Sequence, residues 1–136
     1  MKQTWLLVLL FSIISGSNSA RILGIISSAF YSHQIVFQPL WRELSLRGHQ
    51  VTTLTTDPIK DPKLTNLTEI DMHFSYDAWN TVLSDSIEDT QSNAFKALHT
   101  VIMTMDKIST KQLEHPNVQK LLNDKNAKFE LVIVEY

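Results

Sequence analysis

The sequence predicts an α/β fold, an open parallel sheet flanked by helices, and three observations predict it. Residues 21–56, RILGIISSAFYSHQIVFQPLWRELSLRGHQVTTLTT, read as strand, loop, helix and strand, which is the order of a βαβ unit. Two helical patterns then precede another apolar strand-like run, FELVIV at 129–134. Strands that alternate with helices, and not with tight hairpin turns, favour parallel pairing.

The elements follow in order. Met1-Lys2, an apolar run from Trp5 to Ile14 and small polar residues from Ser15 to Ala20 have the layout of a secretory leader, expected over residues 1–20 with cleavage after Ser19 or Ala20. Ile22 to Ile26 is apolar except for Gly24 and suits a strand buried on both faces. A polar loop leads to a helix expected from His33 to Arg47, with Ser32 as N-cap, Phe37, Leu40, Trp41 and Leu44 on its inner face, and Gly48 as the stop. Pro39 should kink it near its start. Gln50 to Thr55 is the next strand, and Ile70 to Tyr76 a further short one. From Ile87 to Leu113, Ala94, Leu98, Val101, Ile102, Met105 and Ile108 recur at helical spacing and should form a core face. Pro116 should open another helix, with Val118, Leu121 and Leu122 inward, and Phe129 to Val134 a last buried strand.

Composition bounds the function classes. With 136 residues, 43% of them hydrophobic, the chain suits one globular domain or part of a larger protein. A net charge of −2 gives no electrostatic footprint for nucleic acid. There is no cysteine, hence no disulfide and no thiolate metal site. The five histidines form no HExxH or other compact metal pattern, no GxGxxG follows the first strand, and Ser28 and Ser32 lack the GxSxG elbow.

What remains is a histidine and a carboxylate at strand ends. In a parallel sheet, His33 after the first strand and Glu135 after the last face the same edge, where such sheets bind ligands. A neutral imidazole can accept a proton, and a carboxylate on its other nitrogen would fix the tautomer; equally, His33 can be a capping or solvated residue. Phe74, Tyr76 and Trp79 line an apolar pocket or pack in the core. Asn66-Leu67-Thr68 is a glycosylation sequon, which fits a chain that carries a leader.

These residues resemble a known family. The SHQ after the first strand, the RGHQVTTLTT strand and the FELVIVE strand look like the N-terminal half of animal UDP-glycosyltransferases, most of all the insect members. The resemblance implies a two-domain GT-B enzyme of facing Rossmann-like domains, with residues 21–136 as the incomplete acceptor-binding domain and a C-terminal UDP-sugar-binding domain beyond them. It implies inverting transfer of a hexosyl group to a hydroxyl of a small lipophilic acceptor. His33 matches the family's catalytic base, and Glu135 stands where the family has an aspartate. Phe30, Tyr31 and Ser32, beside His33, are the expected acceptor contacts. No cofactor or metal is expected; the UDP-sugar is a co-substrate held mainly by the C-terminal domain, so residues 1–136 alone should be inactive. The resemblance further implies an endoplasmic-reticulum lumenal protein, glycosylated at Asn66, tied to the membrane through a C-terminal helix and able to form homo-oligomers. The competing expectation is a non-catalytic lumenal module, secreted if the chain is naturally short, that binds small lipophilic ligands.

Overall fold

The computed structural model describes residues 19–81 and 94–135. Nearly all of the expected leader, and residues 87–93 of the expected long helix, lie outside them. Four strands, β1 (Arg21–Ile26), β2 (Gln50–Thr55), β3 (Leu67–Asp71) and β4 (Leu131–Val134), form one sheet in the order β3-β2-β1-β4. All three pairings are parallel. The connections carry α1 (Tyr31–Leu46), a helical segment at 75–81, α2 (Ala94–Glu114) and α3 (Pro116–Asn123). The chain is therefore a Rossmann-like α/β arrangement, as the sequence predicts.

Side chains alternate along β1, so Ile22, Gly24 and Ile26 are buried while Arg21, Leu23 and Ile25 are half-buried. The expected burial on both faces holds for only one of them. In register, Ile22, Gly24 and Ile26 stand beside Val51, Thr53 and Thr55. Trp41 of α1 packs with Ile26 and Val51, joined by Phe37, Leu44 and Ile133. The Phe37 and Trp41 rings stack with centroids 5.9 Å apart. Gly24 is what lets the indole lie against the strand: a Cβ there would sit 2.7 Å from two Trp41 ring carbons. We expect Gly24→Ala to destabilise the domain by about 1–3 kcal/mol through overpacking, read as a lower unfolding midpoint in urea.

Helix α1 begins at Tyr31, two residues earlier than expected, with Phe30 as an extended cap residue and no side-chain cap. Ser32 is thus an exposed first-turn residue and not the N-cap. The first turn is closed without it, because Phe30 O accepts the N–H groups of His33 at 3.0 Å and Gln34 at 3.3 Å. Pro39 falls in the third turn, beyond the expected start, and the helix runs through it. The inner face is also more polar than the apolar spacing suggests: Gln34, Trp41 and Ser45 are buried, whereas Leu40 is exposed. Gly48, at φ +88°, ends the helix in the left-handed conformation that glycine adopts most easily.

The opposite face of the sheet is covered by α3, which Pro116 opens as expected. Val118 packs with Ile70 and Met72, and Leu54, Phe74 and Leu121 close the cluster; Leu122 instead faces solvent. The strand expected at Ile70–Tyr76 ends at Asp71. There the Asp71 carboxylate accepts the His73 N–H at 2.9 Å, Met72 O accepts the Ser75 N–H, and the chain turns into the 75–81 helix.

Two further expectations change. Helix α2 buries Ala97, Thr104, Ile108 and Gln112, so of the expected core face only Ile108 is fully inside. Val101 is half-buried, and Ala94, Leu98, Ile102 and Met105 are exposed. Gln112 lies on the inward face, where its amide donates to Ser27 O and Ser75 Oγ, each at 2.8 Å. Strand β4 is not buried: among the described residues it pairs with β1 alone, leaving Leu131, Val132 and Val134 exposed and Ile133 half-buried against the core.

Candidate active site at the switch point

From β1 the chain builds outward through β2 and β3, then β4 returns to the far side of β1. The strand order therefore reverses between β1 and β4. Open α/β sheets bind ligands in the crevice outside the carboxyl ends of their strands at such a reversal. Two segments meet there, the 27–30 loop with the first turn of α1, and Glu135 directly after β4.

Glu135 is fixed by its backbone, since its N–H donates to Ile25 O at 3.1 Å and prolongs the β1–β4 ladder. Both oxygens of its carboxylate are engaged. Oε1 accepts a hydrogen bond from His33 Nδ1, and Oε2 accepts one from Ser28 Oγ at 2.5 Å. A carboxylate only accepts, so Nδ1 carries the proton and the Nε2 lone pair of a neutral imidazole is left free. The His33 side chain is 48% exposed and that of Glu135 only 17%. The outer imidazole edge is accordingly accessible while the carboxylate behind it is sheltered.

The pair sits on the wall of a cleft of about 310 Å³. Ala29, Phe30, Trp79, Met105 and Ile108 supply its apolar lining, and Ser27, Ser28, Ser109 and Gln112 its polar groups. The Phe30 ring meets Trp79 edge-on at 5.0 Å and lies 5.3 Å from the His33 ring. Such a volume, mostly apolar with a few polar groups, is at the small end of ligand pockets.

The loop beneath the pair is clamped by buried amides. Gln34 Nε2 donates to Ile26 O and Ser28 O, both at 2.9 Å, and its Oε1 accepts the Thr55 hydroxyl at 2.7 Å. Thr56 Oγ1 donates to Ser28 O at 3.1 Å, and Gln112 holds Ser27 O. Neither glutamine stands out by residue type. The signal that could have found them is position: Gln34 falls one helical turn before Phe37 and Gln38 and two before Trp41, on the face that packs on the sheet.

Of the sequence-selected residues, His33, Glu135 and Phe30 come together at the cleft, while Tyr31 and Ser32 are exposed and outside its lining. The aromatic trio divides. Trp79 lines the cleft, Phe74 packs in the core and stacks on His115, and the Tyr76 hydroxyl donates to Asp57 Oδ2 at 2.7 Å. Burial first, and the Asp57 carboxylate second, push the Tyr76 phenol up to about 12, so it stays a neutral donor. His49 lies at the other sheet edge, its Nδ1 accepting the Ala20 N–H at 3.1 Å. Asn66, also at that edge, is exposed, with its amide 3.4 Å from Ser45 O. Among the described residues, no group of three histidine or acidic side chains could hold a metal ion. Nor is any described helix long and apolar enough to cross a membrane.

Fold and site together define an open parallel α/β domain with a histidine–carboxylate pair in an apolar cleft at its switch point. No family model matches the chain, and no solved structure matches it. Two relatives supply the family. The chain is 36% identical, over 139 aligned positions and 98% of its length, to a protein of Dactylopius coccus named UDP-glucosyltransferase 2. It is 28% identical over 85% of its length to the ecdysteroid UDP-glucosyltransferase of Lacanobia oleracea granulosis virus. The chain belongs to the UDP-glycosyltransferase family, and it spans about a quarter of the length of these two relatives.

Proposed function

We propose that the chain is the acceptor-binding part of a UDP-glycosyltransferase that passes a hexosyl group from a UDP-sugar to a hydroxyl of a small lipophilic compound, with inversion. The observation that carries the reading is the His33–Glu135 pair, closed at the switch point on the wall of an apolar cleft. In this mechanism the acceptor lies against Phe30, Trp79, Met105 and Ile108 with its hydroxyl at His33. Nε2 takes the hydroxyl proton as the oxygen attacks the anomeric carbon, and the bond from that carbon to UDP breaks with its electron pair leaving on the phosphate. Glu135 faces the positive imidazolium as it forms and keeps Nδ1 protonated throughout.

The same reading takes residues 1–20 as a leader into the endoplasmic-reticulum lumen and residues 21–136 as one domain. It takes Asn66 as a glycan site whose place at the opposite sheet edge leaves the cleft clear. The test is to incubate the full-length protein that carries this segment with α-linked UDP-hexoses and a panel of lipophilic phenols and alcohols. A β-glycoside, recognised by the proton coupling at its anomeric carbon, is expected. No product with any donor, or an α-glycoside, overturns the proposal.

A further inference from the structure

We infer that Ser28 is a positioning residue of the transfer site, acting through Glu135 to hold the His33 imidazole. The inference rests on the transfer reading above. Glutamate loses more rotamer freedom when ordered than most side chains, and its carboxylate is useful to an imidazole only in one plane. One hydrogen bond from His33 leaves that plane free to swing about the bond. The second, from Ser28 Oγ to Oε2 at 2.5 Å, removes the freedom, and its length is that of a charge-assisted O–H···O⁻ bond. The carboxylate is thereby held between a backbone-anchored loop on one side and the imidazole on the other.

Ser28 can do this because its own backbone does not depend on its side chain. Its carbonyl accepts from Gln34 Nε2 and Thr56 Oγ1, so removing the hydroxyl leaves the loop tied where it is. The serine also needs no nucleophilic elbow. Its hydroxyl donates to a carboxylate that is already the partner of a histidine, which makes it the third member of a relay from loop to carboxylate to base.

The test uses the full-length protein and steady-state kinetics for both substrates. Ser28→Ala should lower kcat about tenfold, the worth of one hydrogen bond to a charged group, with both KM values unchanged. Ser28→Thr, which keeps the hydroxyl, should restore most of it. In a Glu135→Ala background, Ser28→Ala should cost nothing more, because no carboxylate is left to hold. Wild-type kcat in Ser28→Ala overturns the inference, as does an equal loss in the Glu135→Ala background or a loss confined to KM. If His33→Ala keeps full turnover, the transfer mechanism itself fails; if His33→Ala loses turnover and Ser28→Ala keeps the wild-type kcat, only the role of Ser28 fails.

Discussion

Replacing His33 by alanine in the full-length protein is expected to lower kcat by about two to four orders of magnitude, the usual worth of a positioned general base. KM for both substrates should stay within a few-fold, because the cleft walls are made by Phe30, Trp79, Met105 and Ile108, which the substitution does not remove. Folding should survive as well. The imidazole is half exposed, and the first turn of α1 is closed by backbone bonds to Phe30 O and by Gln34, none of which uses the His33 side chain. A loss of turnover with an unchanged unfolding midpoint therefore assigns the effect to proton transfer. His33→Gln sharpens the measurement: it keeps a polar group of similar reach but cannot take up a proton at neutral pH, so its turnover should be as low as that of the alanine variant. Turnover within a few-fold of wild type in either variant contradicts the assignment of the base.

How much of this could be read from the sequence depends on where the information lies. The βαβ unit is local: the apolar runs at 22–26 and 50–55 and the stop at Gly48 specify it without help from the rest of the chain, and β1, α1 and β2 fall close to the expected boundaries. That His33 and Glu135 share an edge follows from parallel strands alone. That they touch does not, since it needs β4 to lie beside β1, a choice of strand order made by residues more than a hundred positions apart. The inward face of α2 was hidden for a similar reason. Of the stripe expected from the sequence, Ala94, Leu98, Ile102 and Met105 face outward, while Gln112 points in to Ser27 and Ser75, which come from two other segments. Gln112 satisfies one carbonyl and one hydroxyl from distant segments, and leaving such a buried group unpaired would cost about 1–3 kcal/mol, a demand that the spacing of apolar residues along the helix does not reveal. Strand β4 reads as buried because its residues are apolar, yet burial needs a covering layer, and among the described residues only its Ile133 side chain meets one.

Glu135 gives the second large effect, and it separates charge from geometry. In Glu135→Gln the amide can still place its oxygen at His33 Nδ1–H and its NH₂ at Ser28 Oγ, which accepts as readily as it donates. The tautomer is then kept and only the negative charge is lost, so the imidazolium formed during transfer is no longer stabilised across the pair. We expect kcat to fall by about 10²-fold, less than the roughly 10⁴-fold seen when an amide imposes the wrong tautomer in serine-protease triads, with little change in KM. Glu135→Ala removes charge and orientation together and should fall further. Glu135→Asp keeps the charge on a side chain one methylene shorter, held by the same backbone bond to Ile25 O. Because that chain cannot span to both His33 and Ser28 as the glutamate does, it should keep the imidazole contact at the expense of the serine and retain more turnover than Glu135→Gln. The order wild type, Asp, Gln, Ala in kcat is the expected result. Equal activity in the aspartate and glutamine variants would mean that the charge of residue 135 contributes nothing beyond the hydrogen bond that either side chain can offer to His33.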